Sequence, residues 1–304
     1  MNELADPTRL GITANLVGGL GNQLFQYAAA RGAAGRLECP MFVDVATLAR
    51  LNPNDTLREF ALGWLLDPAQ VVDSGTAAES GRWSAALRRR LPGISVGRTF
   101  QQQGFAYDPR FEKLHRGAIL SGYFQSWRYS ANVQDQLRQD ILNRIPHSAW
   151  FDETTDLLNS LGPWIAVHVR RGDYLQARNS AYHGLLGLSY YARALARLRN
   201  SGEPVVIFSD EPEAARAFLG PLAAQALVVD SPPQAHEAES IELMSQASAV
   251  VTANSSFSWW GAWLADPATT TVVCPTPWLD QAGLDEHDLR PPQWITIDSS
   301  FGQQ

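Results

Sequence analysis

Short apolar runs alternate with longer segments of mixed polarity along most of the chain. An unbroken apolar run of this kind is typical of a strand buried on both faces. The runs predict strands over residues 11–17, 41–45, 118–124, 164–170, 204–209, 226–229, 249–253 and 271–274. Helices are predicted between them, over residues 23–36, 133–145, 189–200, 237–247 and 256–265. Strands and helices in alternation indicate an α/β protein with parallel sheets.

The alternation is interrupted near residue 150, just after Pro146 and His147. We therefore expect two Rossmann-like domains facing a central cleft, over residues 1–150 and 151–304. Residues 46–115 hold several prolines and few clear periods, and we expect short helices there. The cluster at residues 88–90 (RRR) is typical of a solvated helix face.

Composition narrows the class of protein. The chain has 304 residues, 45% of them hydrophobic, which is enough for full cores. It contains neither an apolar run long enough to span a membrane nor a secretory signal. We therefore expect a cytoplasmic protein that begins close to its first strand. Association with a membrane surface stays open. Cys39 and Cys274 form neither a disulfide framework nor a zinc site. A net charge of −7 argues against binding to nucleic acid.

The basic residues predict phosphate binding by arginine and not by a P-loop lysine. Lys113 is the sole lysine and follows no glycine loop, so a P-loop NTPase is excluded. Arg170 and Arg171 lie at the carboxyl end of the predicted strand 164–170, where an α/β sheet binds its ligands. A planar guanidinium suits a phosphate held by two hydrogen bonds. The alternative is an ion pair between Arg170 and Asp173 or another acid.

A glycine turn at residues 18–22 (GGLGN) follows the first predicted strand and precedes a helix. This is where a dinucleotide fingerprint would lie, but Leu24 replaces its third glycine, which weakens a nicotinamide interpretation. The turn still allows a backbone to approach a ligand closely. It is equally compatible with a tight turn that has only a structural role.

Two further polar groups follow predicted strands. Asp210 could accept two hydrogen bonds from a guanine edge, or it could cap the helix near Pro212. Ser255 and Ser256 open a helix whose amides could bind an anion. The alternative is that these serines cap the helix and that the adjacent tryptophans belong to the core.

Five blocks in this order resemble the α-1,2-fucosyltransferases. They are residues 18–28 (GGLGNQLFQYA), 122–126 (GYFQS), 168–173 (HVRRGD), 208–210 (FSD) and 253–263 (ANSSFSWWGAW). The third block is similar to a motif that these enzymes share with α-1,6-fucosyltransferases and protein O-fucosyltransferases. The resemblance covers nearly the whole chain apart from residues 46–115.

The resemblance implies a GT-B fold, an inverting mechanism, GDP-β-L-fucose as donor, no cofactor and no required metal. The N-terminal domain would be mainly the acceptor side, and the C-terminal domain would bind the donor. Arg170, Asn22 and Asp173 are the implied catalytic residues. The implied donor-binding residues are Gly19, Gly21, Asn22, His168, Arg170, Arg171, Asp210, Ser255, Ser256 and Phe257. The acceptor would be a galactose-terminated oligosaccharide or glycolipid.

The general base is not identified, and Asp44, Glu59 and Asp173 are candidates. The chain departs from the family at Ser240, where members often carry an aspartate; Glu239 is adjacent. Three alternatives stay open: a fucosyltransferase of another linkage or another GDP-sugar transferase, a nicotinamide oxidoreductase, and a nonenzymatic carbohydrate-binding protein.

Overall fold

The computed structural model describes residues 7–48, 58–75, 99–171, 184–198, 202–281, 283–299 and 301. The chain divides into two compact units, residues 1–144 with 287–289, and residues 145–286 with 290–304. Each unit carries one sheet, and the strand pairs described in both sheets are parallel. The prediction of two parallel-sheet α/β domains is therefore confirmed.

The first unit is a five-stranded sheet with the strand order β3-β2-β1-β5-β4. Its strands are β1 (Ile12–Asn15), β2 (Met41–Asp44), β3 (Val71–Val72), β4 (Thr99–Gln101) and β5 (Ile119–Ser121). The α-helices whose bounds lie within the described residues of this unit are α1 (Leu20–Leu37) and α2 (Gln134–Leu142). Short 3₁₀ helices cover Pro7–Leu10, Pro68–Gln70, Pro109–Lys113, Trp127–Val133 and His287–Leu289.

The second unit is a six-stranded sheet with the order β11-β10-β9-β6-β7-β8. Its strands are β6 (Ile165–Val169), β7 (Val205–Ser209), β8 (Leu227–Val229), β9 (Ala249–Val251), β10 (Thr271–Thr276) and β11 (Ile295–Asp298). Its α-helices are α3 (Ala149–Ser160), α4 (Leu188–Leu198), α5 (Pro212–Leu219), α6 (Glu237–Ser245) and α7 (Ser256–Leu264). A 3₁₀ turn covers Gly220–Ala223.

The order of strands identifies one position in each sheet where the chain reverses its direction of travel. In the first sheet this position lies between β1 and β5, and in the second it lies between β6 and β9. Open α/β sheets bind their ligands at the carboxyl ends of such strands, so the side chains that follow these strands are candidates for ligand binding. β6 is buried at all five positions, which agrees with its continuous apolar sequence.

Several elements were not predicted. Within residues 46–115 the structure has short helices, as expected, at Pro68–Gln70 and Pro109–Lys113, but it also has the strands β3 and β4, which were not predicted. β3 has two residues and β4 has three, too few to show an apolar period. Helix α3 and the edge strand β11 were also missed. The arginines at residues 88–90 lie outside the described residues. In the described part of the chain, no helix is long and apolar enough to cross a membrane.

Gly32 of α1 lies against the backbone of the 3₁₀ helix Trp127–Val133. A Cβ atom at Gly32 would lie 2.0 Å from the carbonyl oxygen of Tyr129. We expect Gly32→Ala to lower the free energy of unfolding by roughly 1–3 kcal/mol, because a backbone must move to make room. Denaturant unfolding of the variant measures this loss.

Gly35→Ala is the matched control one turn further along α1. Its new Cβ would meet a methyl carbon of Val133 at 2.9 Å, and a side chain can move more readily than a backbone. Alanine also favours a helix more than glycine does, so Gly35→Ala should be close to neutral. A Gly32→Ala protein as stable as the parent would contradict the packing described here.

Candidate active site

The predicted donor-binding residues of the second unit lie at one edge of its sheet. β6 pairs with both β7 and β9, so the carboxyl ends of these three strands are adjacent. His168 and Arg170 lie at the end of β6, Asp210 follows β7, and Ser255 comes shortly after β9. The structure therefore brings together residues that are far apart in the sequence.

Arg170, Arg171 and Asp210 form one hydrogen-bonded group. The Nε atom of Arg170 lies 3.2 Å from Oδ2 of Asp210, and these side chains are 23% and 26% exposed. The backbone amide of Arg171 donates to Oδ1 of Asp210 at 3.2 Å. The Arg171 guanidinium lies over the ring of Phe218, 3.9 Å from its centroid. Asp210 thus contacts two successive residues at the end of β6.

This geometry tests the structural alternatives to ligand binding that were left open for Asp210 and Arg170. The N-cap of α5 is Glu211, so Asp210 is not the cap residue. The ion pair considered for Arg170 exists, and its acid is Asp210. Asp173 lies outside the described residues. The pair engages the Nε edge of Arg170, and a guanidinium has further donors on its two terminal nitrogens.

His168 is 2% exposed and lies on the same edge. Its ring is 5.8 Å from the ring of Phe257, with the two planes at 34°. Burial, with a smaller contribution from the Arg170 charge, lowers the pKa of His168 to about 3. The imidazole is therefore neutral at physiological pH, and it can act as a hydrogen-bond donor and acceptor without adding charge.

The depressed pKa of His168 predicts a pH dependence of stability. Between pH 6.5 and pH 3 the unfolded chain binds a proton that the folded chain excludes, so the free energy of unfolding falls as the pH falls through that window. The slope from one such proton is at most about 1.4 kcal/mol per pH unit. Urea unfolding from pH 7 to pH 4 should show a flatter pH dependence of the free energy of unfolding in His168→Gln than in the parent.

The control is His115→Gln, at an exposed position, which should follow the parent curve. Parallel curves for His168→Gln and the parent would contradict the prediction.

Helix α7 begins at this edge with the predicted phosphate-binding segment. Ser255 is buried, and its hydroxyl accepts a hydrogen bond from the amide of Phe257 at 3.3 Å. Ser256 and Phe257 are half-buried. Trp259 and Trp260 are each 1% exposed, so the alternative of a tryptophan core is confirmed, and of the two serines Ser255 is the cap while Ser256 begins the helix. A capping hydroxyl still has its own hydrogen to donate, so capping is compatible with donor binding. Donor binding by this segment stays a prediction.

The remaining predicted residues belong to the first unit. Gly18 has φ of +77°, a left-handed conformation that favours glycine. Gly19 is the N-cap of α1 and has no side chain to bond the helix amides, while Gly21 lies buried within the first turn. Asn22 accepts a hydrogen bond from Nε2 of Gln125 at 2.7 Å. This bond joins the residues that follow β1 and β5, at the position where the strand order reverses.

Two buried glutamines hold this turn, and sequence reasoning gave them no role. Gln23 donates to the carbonyls of Gly18 and Glu59, both at 2.8 Å, and accepts from the amide of Ala61. Gln26 accepts from the amide of Val17 at 3.0 Å and donates to the carbonyl of Gly122, just after β5, at 3.2 Å. Both side chains are fully buried. Two glutamines among the mostly apolar residues of the first turns of α1 were the available signal.

The candidate bases differ in environment. Asp44 is 8% exposed, and its Oδ1 accepts from the amides of Ala46 and Ser74 at 3.0 and 3.2 Å. These bonds give Asp44 a structural role at the end of β2. Glu59 is exposed, and its backbone carbonyl is the acceptor of the Gln23 bond.

The departure from the family at Ser240 has a local explanation. The hydroxyls of Ser240 and Ser231 lie 3.0 Å apart. Glu239 is 2% exposed, accepts the hydroxyl of Ser148 at 2.6 Å, and also accepts the amide of His236. Glu239 therefore joins the starts of α3 and α6. Across the described ranges, no three histidine, cysteine, aspartate or glutamate side chains come together as a set that could hold a metal ion.

The family model and the relatives that match this chain are all glycosyltransferases. The model of the family described as "Glycosyl transferase family 11" matches residues 111–298. An α-1,2-colitosyltransferase of Escherichia coli is 26% identical over 292 residues, which cover 94% of this chain and 99% of that protein. The O-antigen biosynthesis glycosyltransferase WbnK of Escherichia coli is 28% identical over 93% of this chain and 99% of its own length.

A galactoside α-(1,2)-fucosyltransferase 1 of Alouatta belzebul is 27% identical over 51% of this chain and 44% of its own length. Among solved structures, fucosyltransferase NodZ from Bradyrhizobium aligns with a TM-score of 0.47 at 14% identity, over 84% of this chain and 93% of that one. ADP-heptose LPS heptosyltransferase II of Escherichia coli aligns with a TM-score of 0.47 at 16% identity, over 95% and 90%.

Proposed function

Because the chain belongs to glycosyl transferase family 11, we propose that it transfers L-fucose from GDP-β-L-fucose to O2 of a terminal β-galactoside, with inversion and an α-1,2 product. The observation that carries the proposal is Arg170, held by Asp210 at the carboxyl edge of the second sheet. Two relatives matched over half of this chain or more are named as α-1,2 transferases, one of colitose and one of fucose. Those names support the linkage that we propose.

The reaction breaks the bond between the fucose anomeric carbon and the β-phosphate oxygen of GDP. It forms a bond from that carbon to O2 of galactose, and the O2 proton leaves. Negative charge grows on the diphosphate as the first bond breaks, and preorganised donors aimed at this charge lower the barrier. In our proposal the terminal nitrogens of Arg170 and the amides at the start of α7 supply those donors.

The other residues have distinct proposed roles. Asp210 accepts hydrogen bonds from guanine while it orients Arg170, because each carboxylate oxygen has two lone pairs. His168 and Phe257 line the nucleotide site with a neutral ring pair. In the first unit, we propose a substrate-binding role for the Gly19–Gly21 turn and for Asn22. We propose that no metal is required, since Arg170 and helix amides neutralise the leaving group.

We propose that either Glu59 or Asp173 is the base that takes the O2 proton. Asp44 is disfavoured, because two backbone amides already bond one of its oxygens. An oxocarbenium-like path with late proton loss would place little demand on base strength. We propose that the protein acts in the cytoplasm, where the two free thiols of Cys39 and Cys274 would stay reduced.

A second candidate donor is GDP-colitose, favoured by the relative that matches 94% of this chain. Colitose is L-fucose without its 3-hydroxyl. A site that hydrogen-bonds that hydroxyl discriminates strongly against the deoxy sugar, whereas an apolar site does not. The ratio of kcat/KM for the two donors therefore identifies which one the site is built for.

The test is a transfer assay with GDP-fucose and GDP-colitose over a panel of β-galactosides, with and without EDTA. We expect GDP release that depends on the acceptor, an α-1,2 product by NMR, and no effect of EDTA. GDP release without transfer to any acceptor, or transfer to another hydroxyl, would contradict the linkage. NADH binding in place of GDP binding would favour the oxidoreductase alternative, and sugar binding without GDP release would favour a carbohydrate-binding protein.

A further inference from the structure

Two buried polar atoms beside the proposed donor site have no hydrogen-bond partner within the described ranges. They are Nδ1 of His168 and the hydroxyl oxygen of Thr252. His168 is 2% exposed and Thr252 is fully buried. Most buried polar groups in folded proteins are hydrogen-bonded, and each exception calls for a physical explanation.

The two side chains lie on neighbouring strands and on the same face of the sheet. β6 and β9 are parallel, with Val167 opposite Val251, so the next residues, His168 and Thr252, are also opposite one another. Val167 and Val251 pack into the hydrophobic cluster on one face of the sheet. Successive side chains of a strand point to opposite faces, so His168 and Thr252 share the other face.

Two tyrosines of α4 fix the backbones of this pair. The hydroxyl of Tyr190 donates to the carbonyl of Thr252 at 2.7 Å, and the hydroxyl of Tyr191 donates to the carbonyl of His168 at 3.3 Å. All four residues are buried. Both tyrosines belong to the hydrophobic cluster of Val167 and Val251, so they hold these backbones from the face opposite the His168 and Thr252 side chains.

The spacing of the strands suits one bridging water. Adjacent strands lie about 4.8 Å apart, and each hydrogen bond of a water spans about 2.8 Å. Buried waters in proteins typically bond to polar groups that would otherwise be unsatisfied. A single water between Thr252 and His168 would satisfy both atoms together.

We propose that Thr252 is a positioning residue for His168. Its hydroxyl, through one bridging water, donates to Nδ1 and holds the ring in the tautomer that carries its proton on Nε2. The ring then presents an N–H group to the nucleotide. This last consequence rests on the proposed function, whereas the tautomer itself does not.

The direct test is ¹⁵N NMR of the histidine rings in the ligand-free protein, with the His168 signals assigned from His168→Gln. We expect the Nε2–H tautomer in the parent and in Thr252→Ser, which keeps the hydroxyl. Thr252→Val has nearly the same shape without the hydroxyl, and its His168 signals should shift towards a mixture of tautomers. Unchanged His168 signals in Thr252→Val, or an Nδ1–H tautomer in the parent, would overturn the proposal.

Affinity for GDP supplies a second measurement. Loss of one hydrogen bond predicts that the Kd for GDP rises roughly fivefold in Thr252→Val and stays within about twofold in Thr252→Ser. The matched control is Thr155→Val in α3, because Thr155 also has a buried hydroxyl with no partner among the described residues. Thr155→Val should change neither the His168 signals nor the GDP affinity. An equal loss of affinity in Thr252→Ser would contradict the role of the hydroxyl.

Failure of this proposal and failure of the proposed function give different results. A parent protein that does not bind GDP contradicts the function and leaves the NMR result to decide the tautomer. A parent that binds GDP, with identical His168 signals in all Thr252 variants, contradicts the positioning role alone.

Discussion

Arg170→Ala should lower transfer from GDP-fucose by roughly 10²–10³-fold, or about 3–4 kcal/mol of transition-state stabilisation. The guanidinium is held at the edge of the second sheet by Asp210, so its donors are in place before the diphosphate departs. Steady-state kinetics at saturating donor measure the loss. The folded fraction is checked by thermal unfolding, since the side chain is only partly buried.

Two comparisons sharpen this prediction. Arg170→Lys keeps the charge without the planar fork, and its activity should lie between those of the parent and the alanine variant. Arg193→Ala removes an arginine of the same unit that pairs with Asp298 at 3.6 Å, and it should retain parental activity. A folded Arg170→Ala protein with nearly parental transfer would show that Arg170 does not contact the leaving group.

The sequence was sufficient to predict that the proposed donor-binding side chains of the second unit lie at the ends of strands. An apolar run followed by a polar side chain predicts a strand end, and parallel strands place such ends together. Arg170, Asp210 and Ser255 were found in this way, and the family resemblance added His168. What each side chain contacts could not be predicted. The bond between Arg170 and Asp210 joins residues forty positions apart, and it depends on β7 lying beside β6.

The first unit was harder to predict for a different reason. Its strands are two to four residues long, so they leave little apolar pattern, and β3 and β4 were not predicted. The roles of Gln23 and Gln26 depend on carbonyls and amides beyond their own helix. Backbone acceptors carry no sequence signal, because every residue has one.

Asp210→Ala should lower transfer roughly 100-fold, because it removes the group that positions Arg170, and a misplacement near 1 Å costs about this much. Asp210 bonds Nε of Arg170 with one oxygen and the amide of Arg171 with the other. Asp298→Ala is the control, since that exposed carboxylate pairs with Arg193 in the same unit.

The double variant Arg170→Ala with Asp210→Ala separates positioning from an independent effect. If Asp210 acts through Arg170, the double variant should be about as slow as Arg170→Ala alone, because residues that act as one unit are not additive. Losses that multiply would mean that Asp210 contributes mainly through a separate contact, such as the guanine edge.

Nucleotide selectivity measures that separate contact. Inosine lacks the exocyclic amine of guanine, so a parent protein that uses Asp210 to accept from this amine should bind GDP more tightly than IDP. Asp210→Asn replaces one acceptor oxygen with an amide donor, and it should shrink the preference for GDP by about 1.5–3 kcal/mol, the range for a charged hydrogen bond. A preference that survives in Asp210→Asn would assign guanine recognition to another residue and leave Asp210 with the positioning of Arg170 alone.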